Sequence, residues 1–420
     1  MSDTTTRDTA TASAAKAAGP AGTSGPGGPR ARLAAAGARL RGGDLGVAPV
    51  VAGLVVIWTV MQILNPIFLS SANLVNLLLE CVPVGVIALG VVFMLLVGQI
   101  DLSVGSISGL SAAVTAVVFV DQGRPAWLAI VAAVALGAAV GWCYAQVYNR
   151  LGVPSFVISL AGLLGFLGLQ LWILGPKGSI NLPFDSWPVT FAQLAFVPPW
   201  LAFALVAAGA AALYWTGHAR AAERRRADLP ATAERTLILR SLALLAGLGL
   251  AVWYLNRDRG VGWMFVLFLG LVLAAHYVLS RTRYGKSLYA VGGNVEAARR
   301  AGIDVKRIYT SAFVLCTTLA ALGGVLAAAR LAAANQSSGT GDVNLNAIAA
   351  AVIGGTSLFG GRGGAFAALL GIVVIQSISN GLTLLNLDSS YRFMVTGAVL
   401  MLAVALDSAA RRSRRTHGRA

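Results

Sequence analysis

The sequence predicts an all-α integral membrane protein: a polytopic helical bundle of about twelve spans, interrupted by glycine-rich breaks, with both termini on the cytoplasmic side. Three observations carry that reading. The chain of 420 residues is 57% hydrophobic and only 11% charged, with a mean hydropathy of +0.76. A water-soluble domain carries roughly a quarter charged residues, so these charges cannot coat a solvated surface, and an ordinary soluble enzyme is excluded. A disordered chain is excluded as well, because disorder needs low hydrophobicity. The second observation is a repeat of apolar stretches at about 20 residues, the length a helix needs to cross a bilayer. The third is where the basic residues fall.

In chain order, residues 1–46 are rich in Ala, Gly, Ser, Thr and Pro, with Arg30, Arg32, Arg39 and Arg41 near their end. Nothing there buries a core, and a disordered basic tail is expected. The apolar run that starts near Val47 outruns the h-region of a signal peptide and is expected to stay as a membrane anchor. The spans follow at 47–66, 74–97, 102–120, 127–148, 153–174, 190–215, 237–255, 261–279, 308–333, 345–359, 364–386 and 391–408. They make a transmembrane domain over 47–408, with cytoplasmic loops at 216–236 and 280–307 and a basic cytoplasmic tail at 409–420. The tenth stretch is too short to cross comfortably. It reads as half of a broken or re-entrant segment, a form tolerated where protein or water covers the backbone.

Cytoplasmic loops carry the excess Lys and Arg. With the N-terminus inside, 26 of the 32 basic residues fall inside: six in the tail, Arg150, six in 216–240, seven in 280–307, Arg362 and five from Arg411 on. Four fall outside: Arg124, Lys177, Arg257 and Arg259. Arg330 and Arg392 sit near helix ends. One mistaken span would put the two large basic loops on opposite sides. The net charge of +16 is thereby accounted for by orientation and anionic lipid contact. The basic run His218 to Arg226 lacks interleaved aromatics and lies between spans, so it reads as a solvated loop, and no nucleic acid is called for.

Several chemistries are absent. Cys81, Cys143 and Cys316 lie in apolar runs at no metal-like spacing and read as small buried hydrophobes. His218, His276 and His417 are scattered over loop, helix and tail. No metal site, catalytic triad or catalytic residue is expected. Tyr284-Gly285-Lys286-Ser287 ends like a phosphate-binding loop, but the position that needs glycine is Ser280. No nucleotide should bind there.

Three segments remain that could carry function. Gly98-Gln99-Ile100-Asp101-Leu102-Ser103-Val104-Gly105-Ser106 is a small, polar break between two apolar runs. An acidic side chain at membrane depth faces protein or water, and glycine breaks expose helix ends to substrate in transporters. The alternative is a short turn with Asp101 capping the next helix. Ile353 to Gly364 is a second glycine-dense break, in the other half of the chain, which hints at a diverged internal repeat with a site between the halves. The alternative is helix packing through small residues, as in Gly105-x-x-x-Gly109, Gly137-x-x-x-Gly141 and Gly360-x-x-x-Gly364. Third is the loop 280–307. Asn294 is a good N-cap, Glu296 favours a first turn, Arg299 and Arg300 a last turn, and Gly302 can end the helix. A helix of about seven residues is too short to stand alone. It either docks in another protein's groove or lies on lipid headgroups.

Together these segments resemble the permease subunit of bacterial ABC importers for monosaccharides, the ribose/xylose/galactose class. Those permeases carry Gly-Gly-Ile-Asp-Leu-Ser-Val-Gly-Ser, matched from Gly98 to Ser106 with Gln99 in place of the second glycine. They carry Ala-x-Gly-Gly-Asn-x-x-Ala-Ala-Arg-x-x-Gly-Ile, matched from Ala290 to Ile303. They also carry Ala-Ala-Ala-Val-Ile-Gly-Gly-Thr-Ser-Leu-Phe-Gly-Gly-Arg-Gly, matched from Ala349 to Gly363, and a Val-Pro-Ser-Phe-Ile element resembled by Val153 to Ile158. The likeness covers roughly 47–408, and the extra apolar runs at 237–279 make the chain most similar to the xylose-type subgroup.

The resemblance implies a multi-pass protein of a bacterial cell membrane that is not itself an enzyme. It implies two copies forming the pore, two cytoplasmic ATPase subunits that hold the ATP and Mg, and an extracytoplasmic sugar-binding protein; this chain would bind no cofactor. Gly292, Gly293, Asn294, Glu296, Ala297, Ala298 and Gly302 would form the element coupled to the ATPase. Gln99, Asp101, Ser103 and Thr356 are the candidates for lining or gating the path. Two rival readings are a branched-chain amino acid permease, with Glu80 or Asp101 meeting a substrate ammonium, and a stand-alone ion-coupled carrier. The carrier needs relayed titratable groups in the membrane; Glu80 and Asp101 would serve, with no histidine or arginine placed to join them.

Overall fold

In a computed structural model, residues 48–388 are described, with isolated positions beyond them up to 405. The tails expected at 1–46 and 409–420, and most of the span at 391–408, lie outside the described residues. The helices are α1 (Ala48–Leu64), α2 (Ser71–Leu96), α3 (Val104–Ala116), α4 (Ala126–Gln146), α5 (Ser155–Leu174), α6 (Trp187–Gln193), α7 (Pro199–Arg226), α8 (Glu234–Leu255), α9 (Trp263–Arg281), α10 (Arg283–Gly293), α11 (Val295–Arg300), α12 (Val305–Leu331), α13 (Val343–Ile353) and α14 (Ala365–Leu384). π-helical turns at Val117–Asp121 and Val147–Leu151 lengthen α3 and α4. Two three-residue strands, β1 (Ser179–Asn181) and β2 (Ala333–Asn335), pair antiparallel with Ile180 opposite Ala334. Among the described residues, nine helices are long and apolar enough to cross a membrane.

The all-round apolar sequence of α2 marks it as a central rod. In its most apolar window 83% of residues are buried, against 11% in α7 and α8. At about 1.5 Å per residue α2 is roughly 39 Å long. α12 lies along α2, α3 and α4, while α14 and α13 close the other side of α2. Ile87, Leu89, Leu95, Phe268, Phe313, Ala320, Ala350 and Ile372 fill the interior between them. Small residues set the spacing: Gly137 and Gly141 of α4 admit Thr317 and Ala321 of α12. That glycine pair is a helix-packing motif, as its spacing suggests. The pair Gly105 and Gly109 instead faces Ser338 and Gly339 of a connection, and Gly360 to Gly364 is not helical. Cys81 and Cys316 are buried as expected, but Cys143 is exposed.

The boundaries differ from the sequence expectation in three places. The stretch 190–215 is two helices, because neither Pro198 nor Pro199 can donate and the residue before a proline avoids the helical region; the helix restarts with Pro199 in its first turn. α7 then runs through the basic stretch to Arg226, so only 227–233 of the loop expected at 216–236 is non-helical. Ala and Arg are strong helix formers, and Arg224 to Arg226 suit the last turn of a helix. The tenth stretch yields α13, eleven residues or about 16 Å, half a bilayer.

From α1 to α12 the long helices alternate in direction between two ends of the bundle, and α14 runs the same way as α12, with the half-length α13 between them. One end holds β1, β2 and the bridge between Phe196 and Gly262. The other, the α11 end, holds the 97–103 connection, α10, α11 and the 354–364 connection. Arg150, Arg224 to Arg226, Arg299, Arg300 and Arg362 lie in the connections and helix ends at this second end.

Candidate functional site

The three segments singled out in the sequence meet at the end of α2. The Gly361 amide donates to the Leu96 carbonyl at 2.9 Å. Gly292, in the last turn of α10, lies against that same carbonyl and against the Gly361 amide; a Cβ there has no room. Gly360 and Gly361 have φ of 86° and 72°, a left-handed backbone that glycine adopts freely, and Gly360 packs on Gly292 and Gly98. The Tyr289 hydroxyl donates to the Gly363 carbonyl at 2.9 Å, and burial pushes its pKa above the ordinary value, so it stays a donor at neutral pH. Through backbone contacts, the connections ahead of α3 and α14 and the helix pair ahead of α12 form one junction.

α11 follows from its local sequence. Asn294 accepts from the Ala297 amide at 2.9 Å, and Glu296 pairs with Arg299 at 3.2 Å and Arg300 at 3.3 Å. At the far end the Ile303 amide bonds Ala298 and the Gly302 amide bonds Arg299, with Gly302 at φ 79°. That is a Schellman stop. The helix has six residues, close to the expected seven. Ala298 is buried, whereas Gly293, Asn294, Glu296, Ala297, Arg300 and Gly302 are exposed. The outward face is short, small and polar. The Tyr284-Gly285-Lys286-Ser287 run lies within α10, whose N-cap Thr282 accepts from the Gly285 amide, so it is helix where a phosphate loop would need a turn.

The break after α2 leads into the protein. Gly323 of α12 rests on Pro83 and Ile87 of α2, and Gly324 rests on Ser108 of α3. Ser108 is therefore level with the middle of α2, roughly 14 Å from Leu96, and α3 begins about 8 Å in from the end of α2. The Ser106 hydroxyl bond to the Leu163 carbonyl agrees, because Leu163 sits about 12 Å into α5. On this climbing connection Asp101 is 1% exposed and Ser103 0%. Asp101 Oδ1 accepts from the Ser103 amide at 2.8 Å and the Ser103 hydroxyl at 2.6 Å, and the Tyr144 hydroxyl of α4 donates to Ser103 at 3.0 Å. Asp101 thus closes a turn on Ser103, two residues on. Gln99 is partly buried beside it, and Thr356 is 2% exposed on the other connection.

Two features escaped the sequence reading. The chain between β2 and α13 dips inward: Ser338 and Gly339 lie against Gly109 and Gly105 of α3, and Asn344 donates to the Leu102 carbonyl. Gln170 of α5 holds the descent, its Nε2 donating to Asn335 at 3.0 Å and Ser338 at 2.9 Å. The polar run Asn335-Gln336-Ser337-Ser338-Gly339-Thr340 reads as a surface loop; only the shortness of the tenth stretch hinted otherwise. The second feature corrects an expectation. Arg330 does join a membrane acid: its Nη2 is 3.3 Å from Glu80 Oε1, and Gln376 donates to Glu80 Oε2 at 2.8 Å. Arg330 closes α12, and its reach across to α2 is not visible from linear position.

Comparison of the sequence with known proteins finds transport proteins. The model of the family described as "Branched-chain amino acid transport system / permease component" matches residues 73–404. The chain is 36% identical over 353 residues to the xylose transport system permease protein XylH of Escherichia coli (strain K12), covering 82% of this chain and 87% of that protein. It is 31% identical over 356 residues to the ribose import permease protein RbsC of the same strain, covering 84% and 91%. It is 29% identical over 355 residues to that strain's D-allose transport system permease protein AlsC, covering 84% and 89%. No solved structure matches.

Proposed function

The chain belongs to the branched-chain amino acid transport system / permease component family, and from that premise we propose that it is the translocation subunit of an ATP-driven importer for xylose or a related monosaccharide. It is a multi-pass membrane protein and a transport subunit, not an enzyme. ATP and Mg would belong to a separate cytoplasmic ATPase, an extracytoplasmic binding protein would deliver the sugar, and a second copy of the chain would complete the pore. The α11 end, where the basic residues gather, is then the cytoplasmic end of a bundle of about twelve spans. Residues 1–46 and 409–420 are cytoplasmic tails of the 47–408 permease domain.

The observation that supports this best is the junction at Leu96. α11 presents a small exposed face to a docking partner, and Gly292 and Gly293, just ahead of it at the end of α10, touch the end of α2 and the connection that leads into α14. Gly292, Gly293, Asn294, Glu296, Ala297, Ala298 and Gly302 would take the push from the ATPase and pass it to rigid helices. Gln99, partly buried, and Asp101, Ser103 and Thr356, buried, sit next along the chain from that junction, where they would pin a gate that opens when the junction moves. An amino acid permease would need a carboxylate free to meet an ammonium. Glu80 is held by Arg330 and Gln376, and Asp101 is 1% exposed with its Oδ1 taken by Ser103.

The test is uptake of a panel of labelled pentoses and hexoses by cells with and without this gene. Import of one sugar, lost with the gene and lost again when the partner ATPase is inactivated, supports the reading. Purified chain in liposomes that concentrates solute on an ion gradient alone overturns it.

A further inference from the structure

The opposite halves of the helices that meet at the junction carry a charged group that the coupling scheme leaves unused. Glu80 lies on α2 about 14 Å from the Ser71 end. Gln376 lies on α14 about 12 Å from the Leu384 end, and Arg330 lies in the last turn of α12. Charges at such a depth almost always face protein or water, and the Arg330 and Glu80 side chains keep 23% and 29% exposure. Among the described residues Arg330 reaches Glu80 through Nη2 at 3.3 Å, while its Nε is buried without a hydrogen-bond partner, which leaves the Nη groups as its donors to a solute. Gln376 gives one amide hydrogen to Glu80 and retains its carbonyl.

We infer that Glu80, Arg330 and Gln376 form a contact site for an uncharged polyhydroxy solute on the outer half of the path. The charges argue for the class. Glu80 and Arg330 neutralise each other, so the site has no net charge to attract an anion or a cation. It does offer both a planar acceptor and planar donors within one cluster, which suits neighbouring hydroxyls that must each donate and accept. The placement argues for coupling. Each of the three residues sits on a rod whose other end is at the junction: Leu96 ends α2, α11 precedes α12, and the 354–364 connection precedes α14. A push at α11 that shifts these rods changes the spacing of the three side chains and so the hold on the solute. This inference rests on the monosaccharide reading above and deepens it by naming the contacts.

The experiment uses the complete transporter in cells, wild type beside Gln376→Leu and Arg330→Lys, with the same sugar panel and with membrane abundance measured in parallel. Both variants should reach the membrane at wild-type abundance. Uptake should fall about tenfold, as expected for one lost hydrogen bond to a charged group, and the order of preference among the sugars should change. Unchanged preference overturns the site, because a merely structural loss lowers every sugar alike. Absence of both variants from the membrane also overturns it, the trio then being a fastening between helices. A wild type that imports none of the sugars fails the monosaccharide reading itself and takes this inference with it.

Discussion

Gly361 donates its amide to the carbonyl of Leu96 across 2.9 Å, tying the connection ahead of α14 to the end of α2. Gly292 fits between them only because it lacks a side chain. Backbone contacts of this kind are stiff, so a displacement of α10 and α11 is passed on instead of being absorbed by side-chain rotation.

Gly292→Val should therefore break transmission. A side chain there displaces Leu96 from Gly361 and separates the motifs. Uptake should drop at least tenfold (a loss on the order of one buried hydrogen bond), with the protein still present in the membrane fraction. Gly364→Ala is the matched control. Gly364 is extended, at φ −177°, and nothing lies near its Cβ position, so its uptake should stay at the wild-type level. Wild-type transport by Gly292→Val would remove the junction from the mechanism.

The cap of α11 gives a graded test. A helix of six residues has little stability of its own, and Asn294→Ala removes its N-cap bond at a cost of about 1 kcal/mol. Uptake should fall several-fold. Asn294→Asp and Asn294→Ser restore a capping acceptor and should recover most of it. If alanine and serine behave alike, the order of this helix does not matter for transport.

Much of this was legible in the sequence, and what was not has a physical reason. The caps of α11 were readable because Asn294, Glu296 and Gly302 act on neighbours within a turn or two. The break at Gly98 to Ser106 was readable because glycine and polar residues interrupt an apolar run. The proline pair at 198 and 199 was equally plain, yet apolar composition on both sides hid the helix boundary it makes. The meeting of Gly292, Gly361 and Leu96 was not readable at all, since it joins residues far apart in the chain through backbone atoms. Arg330 was missed for the same reason. Its partner Glu80 is 250 positions away, and a charge near a helix end ordinarily signals an interface with water.

The turn at Asp101 should be a stability element. Asp101→Ala leaves the Ser103 amide and hydroxyl without their acceptor in a site closed to water, which costs about 1–3 kcal/mol per unsatisfied group. Asp101→Asn keeps an acceptor at the Oδ1 position and should cost less. Tyr144→Phe removes only the outer donor, worth about 1 kcal/mol. Thermal unfolding of the detergent-solubilised protein should rank the midpoints wild type, Tyr144→Phe, Asp101→Asn, Asp101→Ala, from highest to lowest. An alanine variant as stable as wild type would show that the turn is held by its surroundings and not by the carboxylate.

The inward course of the chain between β2 and α13 depends on Gln170. Its side chain is fully buried, and one amide nitrogen serves the carbonyls of Asn335 and Ser338. Gly109 gives the space for both. In Gln170→Leu the Ser338 carbonyl loses that donor, while the Asn335 carbonyl keeps only the Ser338 amide at 3.0 Å, and buried backbone does not go unpaired cheaply. The segment should then swing toward water at the β1–β2 end. A thiol placed at the exposed Ser337, in a background where the exposed Cys143 is serine, reports this. Reaction with a membrane-impermeant maleimide from outside the cell should be measurable in the parent and several-fold faster in the Gln170→Leu variant. Equal rates would mean that Asn344, bonded to Leu102 at the bottom of the descent, holds the segment by itself.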